Sequence, residues 1–518
     1  MRGRWTFAAL AILALTFASI VIGSAGAAGN PAVQYTVAFN SPNSLPSNVD
    51  QLVAAAGGTI TARLPQIGGI GVTSDNPSFA AAMGRNASVK SAAPSVETSI
   101  GPTMEPANLD AQIADSGNNG GTASPTGSDT QPMPDSLGSE QWDKKKLHAT
   151  PTGSYAVQQG RKDVRVFVID TGADQTHVDV APNLDAADSV SFVPTEPTIQ
   201  DLNGHGTWTI SAVGAPINGI GISGVAPNVT LVEGKVLNGA GRGLFLWTDQ
   251  ALVYAGLKHF DVVSASLGGY IPKCGATKTN PNGCDHPDFI LLNRATQFAR
   301  ANGVLPVAAA GNDGFDLSDG AFFRGFVEAP GEIAGWVTVS ATGYNDGKAF
   351  YSNYGTSIDV SAPGGSTRDY NGVPGEPGPC PHGSLCRLIG AWSSTGSSAP
   401  ADPIEQCAGP AGTPPCFLYG YVQGTSMATP NVAGVAALII SQYGDFTANN
   451  ANKIHMSPTA VESILQITAN NQPCPTPKTV TQGPGFTFAT ATCQGDTGNN
   501  TFFGKGIVDA LNAVTFHG

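Results

Sequence analysis

Nearly continuous apolar runs of strand length recur along the second two-thirds of this chain. Val164-Arg165-Val166-Phe167-Val168-Ile169, Val262-Val263-Ser264-Ala265-Ser266, Leu305-Pro306-Val307-Ala308-Ala309-Ala310 and Trp336-Val337-Thr338-Val339-Ser340 are the clearest. Runs of this kind predict strands buried on both faces, as in a parallel sheet. Helical patterns alternate with them, which predicts an α/β body from about residue 140 onward. Residues 428–442 are apolar nearly all round and predict a buried helix that begins just after Ser426. The earlier part of the chain reads differently. Tyr35-Thr36-Val37-Ala38-Phe39 alternates as a half-buried strand does, Gly57 to Thr61 suggests a turn into a second strand, and Gly69 to Val72 a third. With a helical stretch from Phe79 to Met83, residues 29–100 predict a small α+β domain.

Between these two regions the pattern vanishes. Pro, Gly, Ser, Asn and Asp dominate residues 101–139, so this stretch is expected to be a linker open to proteolysis and to hold a maturation site. At the N-terminus, Arg2 and Arg4 precede an apolar run from Phe7 to Ile22, followed by Ala25-Gly26-Ala27. This is the pattern of a cleaved secretory signal over residues 1–27, so the expected destination is extracellular. No later run is long enough to span a bilayer, and no membrane association is expected after cleavage.

Charge and cysteine narrow the class. The chain has 518 residues, 12% of them charged, with a formal charge of −13. That balance would repel phosphates and excludes a nucleic-acid partner from the expectations. The 8 cysteines fit an oxidising compartment and fall as close pairs: Cys274 and Cys284, Cys380 and Cys386, Cys407 and Cys416, Cys474 and Cys493. Nearest-neighbour pairing is the expectation, although eight cysteines allow about 105 connectivities.

Chemistry enters through three short motifs. Val168-Ile169-Asp170-Thr171-Gly172, Asn203-Gly204-His205-Gly206-Thr207 and Gly424-Thr425-Ser426-Met427-Ala428 each set one member of an Asp/His/Ser group beside glycine. A serine hydroxyl needs an imidazole to take its proton, and the imidazole needs a carboxylate to fix its tautomer. Alone, each residue has a plainer explanation: a turn aspartate, a packed histidine, a capping serine. Together and in this order they resemble the subtilisin-like serine peptidases over nearly all of residues 140–518.

That resemblance implies a three-layer α/β fold with a mostly parallel central sheet, acting on protein or peptide substrates as a monomer. It implies Ser426 as nucleophile, His205 as general base and Asp170 as its orienting carboxylate. Asn312, in Ala310-Gly311-Asn312-Asp313-Gly314, matches the family's oxyanion donor. Gly241, Arg242 and Gly243 match one edge on which an extended substrate pairs, and Ser266, Leu267 and Gly268 the other, with Phe245 lining a pocket beside them. The region before residue 100 is similar to the family's propeptide, a ferredoxin-like chaperone and inhibitor of its own enzyme. A structural Ca2+ is implied by Asp179 and by the loop of Pro216, Asn218, Ile220 and Ile222, Asn218 giving a side-chain oxygen and the others carbonyls. Two departures stand out. Trp208 occupies a position where the family commonly has histidine, and residues 364–424 are longer than in compact members. A non-catalytic binding module and a narrow processing enzyme are the alternatives to a broad endopeptidase.

Overall fold

The structure, a computed structural model, describes residues 31–101, 132–272, 286–319, 325–367, 386–397, 399–409, 412–447, 454–482 and 490–517. The expected signal, most of the linker, Cys274, Cys284 and Cys380 lie outside the described residues.

The first unit runs β1 (Val33–Phe39), α1 (Val49–Ala55), β2 (Thr59–Leu64), β3 (Gly69–Ser74), α2 (Phe79–Met83) and β4 (Val89–Pro94). Its sheet is antiparallel with the order β2-β3-β1-β4. Tyr35, Val37, Phe39, Ile70, Val72, Phe79 and Met83 form its core. A short strand, β5 (Glu97–Ser99), leaves this unit for the larger body. Val49 and Val53 of α1 and Phe79 and Met83 of α2 share this core, and the alternation of Tyr35, Val37 and Phe39 along β1 assigns that face to it.

The larger body continues with α3 (Trp142–Lys146), β6 (Arg165–Asp170), β7 (Val190–Ser191), α4 (His205–Gly214), β8 (Thr230–Lys235), β9 (Arg242–Leu244) and α5 (Phe245–Lys258). After it come β10 (Val262–Ala265), β11 (Gly269–Pro272), α6 (Pro287–Ala301), β12 (Leu305–Ala309), β13 (Phe326–Ala329), β14 (Val337–Thr342) and β15 (Val360–Pro363). The chain then forms β16 (Leu388–Trp392), β17 (Ala401–Cys407), β18 (Cys416–Val422), α7 (Thr425–Tyr443), α8 (Pro458–Thr468), β19 (Thr479–Thr481), β20 (Thr490–Thr492) and α9 (Ala510–Val514). Seven strands make a parallel sheet in the order β15-β14-β12-β10-β6-β8-β7. One face packs on α4, α7, α8 and α9 through Val166, Val168, Leu231, Val307 and the apolar length of α7. The other face packs on α5 and α6 through Phe167, Ile169, Val232 and Val263. Burial on both faces is why these strands are apolar at successive positions rather than alternating.

The first unit sits on α5 and α6. Gly69 and Gly71 allow close approach: a Cβ on either would stand 2.4 Å from Leu291 or Leu246. Arg294 Nη1 donates to the carbonyls of Phe39 (3.0 Å) and Ile67 (3.1 Å), tying the two bodies together.

Two expectations need correction. Helix α7 begins at Thr425, so Ser426 lies inside its first turn instead of before it. The cause is distant in sequence: Asn312 Oδ1 accepts from the Thr425 N–H and caps the helix start. Residues 133–139, read as linker, are packed on the body, with Met133, Asp135 and Leu137 buried. Asp135 accounts for this, because its carboxylate accepts from the backbone of Asn218 (3.0 Å) and Gly219 (2.6 Å) and from the Ser223 hydroxyl. Of the expected cysteine pairs, Cys407–Cys416 and Cys474–Cys493 are disulfides, and Cys386 is disulfide-bonded.

Candidate active site

Strands β6, β10 and β12 are neighbours in the parallel sheet, and each carries a polar residue at or just past its carboxyl end: Asp170, Ser266 and Asn312. Open α/β sheets place ligands at this edge. The N-terminal turns of α4 and α7 bring His205 and Ser426 to the same edge.

Asp170 is fully buried. Its carboxylate oxygens lie 2.8 and 3.0 Å from His205 Nδ1. Thr209 Oγ1 (3.2 Å) and the Thr171 N–H (2.7 Å) also donate to it, so the carboxylate is fixed from three sides. With Nδ1 engaged, Nε2 is the free acceptor of the neutral ring. Among the described residues His205 Nε2 has no hydrogen-bond partner. The glycines around His205 are required by geometry. Gly204 has φ +116°, a conformation that L side chains rarely adopt, and a Cβ there would meet the Trp392 indole at 2.1 Å. A Cβ on Gly206 would stand 2.1 Å from the Gly172 carbonyl.

Ser426 Oγ donates to the Ser266 carbonyl at 3.3 Å, and Ser266 Oγ donates to the Ser426 carbonyl at 2.7 Å. This reciprocal pair locks the first turn of α7 to the end of β10. Asn312 completes the edge. Its Oδ1 accepts from Thr425 N (2.9 Å) and Thr425 Oγ1 (2.8 Å), which leaves its NH2 facing the cleft.

A segment of the chain itself lies in that cleft. β5 pairs antiparallel with β9, Glu97 opposite Leu244, Thr98 opposite Gly243 and Ser99 opposite Arg242. Ile100 N continues the β9 side by donating to the Gly241 carbonyl (3.1 Å), and on the other side Ser99 donates to the Gly268 carbonyl (3.0 Å) and accepts from the Gly268 N–H (2.9 Å). Thus Gly241, Arg242, Gly243 and Gly268 meet an extended strand through their backbone, while Leu267 is buried beneath and Ser266 engages Ser426. Two residues past β5, a Cβ on Gly101 would stand 3.5 Å from Asn312 Nδ2.

Several residues of this site carry no motif signal. Asp201, fully buried, holds the loop before His205 by accepting from Asn203 N (2.9 Å), Gly204 N (2.9 Å), Thr207 N (2.9 Å) and Thr171 Oγ1 (2.9 Å). Glu233 is a buried carboxyl in β8, opposite Val168 of β6. Burial first, then the charges of Asp170 and Asp201, push its carboxyl well above the usual range, so it is neutral behind Asp170. The only hint in sequence is a charged residue in an apolar strand. Trp208 Nε1 donates to the Gly420 carbonyl (3.2 Å), which anchors β18, within the long 364–424 stretch, to α4.

The expected cation loop is only partly as read. Asp179 is buried and accepts from Tyr419 Oη (2.7 Å), Ile222 N (3.0 Å) and Asn218 Nδ2 (3.2 Å). Asn218 therefore turns its NH2, not its oxygen, toward Asp179, because its Oδ1 closes a turn on Ile220 N (3.0 Å). Burial pushes the Asp179 carboxyl up to about 7. Among the described residues the carbonyls of Pro216, Ile220 and Ile222 accept no hydrogen bond. Those three carbonyls and the Asp179 carboxylate are oxygen donors of the kind a hard cation takes.

Residues 161–506 match the model of the subtilase family. The chain belongs to that family. Among curated subtilases, the chain is 33% identical over 297 residues to an alkaline protease of Alkalihalobacillus alcalophilus, covering 57% of this chain and 59% of that one. Subtilisin Savinase of Lederbergia lenta is 32% identical over 297 residues, covering 57% and 83%. The match thus spans under two thirds of the first relative's length. The subtilase fold is shared with the epidermin leader peptide processing serine protease of Staphylococcus aureus, at a TM-score of 0.65 and 21% identity, covering 93% of this chain and 98% of that one. Among the described residues no helix is long and apolar enough to cross a membrane.

Proposed function

We propose that this chain is a secreted serine endopeptidase made as a self-processing zymogen. The observation that carries the reading is the Asp170–His205 pair, with Nε2 unpartnered, on the sheet edge that also holds Ser426 and Asn312. Ser426 Oγ leaves the Ser266 carbonyl, donates its proton to His205 Nε2 and attacks the substrate carbonyl. Asp170 holds His205 in the required tautomer and stabilises the imidazolium. Asn312 Nδ2 and the Ser426 N–H receive the oxyanion. His205 returns the proton to the leaving amine, and water then releases the acyl group.

Residues 97–101 support a zymogen, because they pair with both edges that a substrate would use. Residues 31–94 are the inhibitory prodomain in this reading, and cleavage falls between residues 101 and 132, since 133–139 are part of the folded body. Residues 1–27 are the export signal. The carbonyls of Pro216, Ile220 and Ile222 with the Asp179 carboxylate would hold a calcium ion, which supplies stability by binding the folded state only.

The test is casein hydrolysis by the mature protein beside Ser426→Ala, with a fluorophosphonate probe for the serine. Labelling of the wild type alone, and activity lost in the variant, are expected. A folded wild type that neither labels nor cleaves would overturn the reading in favour of a binding module. Ser426→Ala is expected to retain the prodomain uncleaved when expressed alone; normal maturation, read by mass spectrometry, would remove self-processing.

A further inference from the structure

Strand β13 pairs antiparallel with β11, Glu328 opposite Tyr270 and Ala329 opposite Gly269. Glu328 is 2% exposed. A Cβ on Gly268 would stand 2.6 Å from its Oε1, and a Cβ on Gly311 would stand 3.8 Å from its Cγ. Gly268 pairs with Ser99, and Gly311 precedes Asn312. The carboxyl therefore lies between Gly268, which pairs with the bound segment, and Gly311, which precedes Asn312.

Among the described residues no counter-charge faces it. Asp313, which accepts from the Tyr270 hydroxyl (2.5 Å), and Glu332, which accepts from the Glu328 N–H (2.8 Å), are its titratable neighbours. The Gly331 N–H is turned toward the carboxyl, yet Oε2 has no hydrogen-bond partner of ordinary geometry among the described residues. Burial, then the charges of Glu332 and Asp313, push its carboxyl well above the usual range. A buried carboxyl without a partner is costly, and one poised beside a substrate cleft has an obvious way to be satisfied. A cationic side chain entering from the position of Gly101 would supply both the missing hydrogen bonds and the charge. Glycine at 101 has no side chain to do so, consistent with an unpaired carboxyl while the chain's own segment is seated.

We propose that Glu328 is a specificity residue that selects peptides with Lys or Arg immediately before the cleaved bond. This rests on the serine-peptidase reading of the site. When such a side chain binds, Glu328 ionises, its proton leaves to solvent, and the ion pair forms in the pocket.

The test uses mature protein and matched fluorogenic peptides that differ only in having Arg, Lys, Gln or Leu before the cleaved bond. The expected wild-type kcat/KM at pH 8 is at least tenfold higher for Arg or Lys than for Leu. Glu328→Gln, nearly isosteric, should reduce the Arg-to-Leu ratio tenfold or more, and Glu328→Asp should restore part of it. The ratio should also fall as pH is lowered in wild type, while in Glu328→Gln it should not depend on pH. Thermal melting checks that each variant folds. A wild type that prefers Leu or Gln, or a Glu328→Gln variant that keeps the Arg preference, would overturn the inference. Fluorophosphonate labelling separates the two readings: labelled protein without basic preference refutes only the role of Glu328, whereas unlabelled, inactive protein refutes the serine site and this inference with it.

Discussion

Replacing Asn312 with alanine should damage both turnover and folding, and the structure separates the two effects. Asn312 Oδ1 accepts two hydrogen bonds from Thr425, at 2.9 and 2.8 Å, and Thr425 is fully buried. Alanine leaves both donors unsatisfied, at about 1–2 kcal/mol each, so stability should fall by roughly 2–4 kcal/mol. The lost Nδ2 removes an oxyanion donor, for which the loss known in this family is on the order of 10²–10³ in kcat. Asn312→Asp divides these contributions. It keeps an acceptor for both Thr425 donors, lacks the NH2 donor, and brings negative charge toward the developing oxyanion. Its melting temperature should therefore lie above that of Asn312→Ala, with turnover at least as low. The assay is kcat and KM on a peptide substrate, with melting measured in a Ser426→Ala background to prevent autolysis. A kcat for Asn312→Asp within threefold of wild type, or a loss confined to KM, would refute the oxyanion role. Unchanged stability in Asn312→Ala would refute its part in starting α7.

Further outcomes follow from the buried carboxyls. In chelator, the stability of the wild type should fall between about pH 4 and 7. Over that window folded Asp179, pushed up to about 7, holds a proton that the unfolded chain has lost, so rising pH favours unfolding. Asp179→Asn should make this slope shallower by one group's contribution, the other raised carboxyls such as Glu233 and Glu328 supplying the remainder, and calcium at about 100-fold its dissociation constant should raise wild-type stability by about 2.7 kcal/mol; melting curves with no calcium dependence would refute the cation site. Glu233→Gln should leave the acid limb of the kcat/KM pH profile in place, because Glu233 is already neutral behind Asp170. Displacement of that limb to lower pH would show that Glu233 is an anion supporting the imidazolium.

Sequence by itself determined the parts of this protein that depend on neighbours along the chain. Short continuous apolar runs of strand length predict strands covered on both faces, and β6, β10, β12 and β14 occur where such runs lie. Glycines flanking His205 marked a backbone that must pass close to another, and Gly206 against the Gly172 carbonyl is that contact. Tertiary structure decided what depends on partners far away. The start of α7 is set by Asn312, 113 positions before Thr425, which no local propensity encodes. Asp135 and Ser136 read as linker because their composition is that of a turn, yet their side chains bond the backbone of residues 218–221 across the fold. Asn218 has the right atom type for a cation ligand, but a turn two residues long claims its oxygen first. Glu233 and Glu328 are the sharpest cases. A carboxyl in an apolar strand is ambiguous in sequence, and only its surroundings after folding decide whether it is an ordinary anion or, as at both Glu233 and Glu328, a group pushed well above the usual range. Burial and the charges gathered by folding settle that difference, and neither exists until the strands have met.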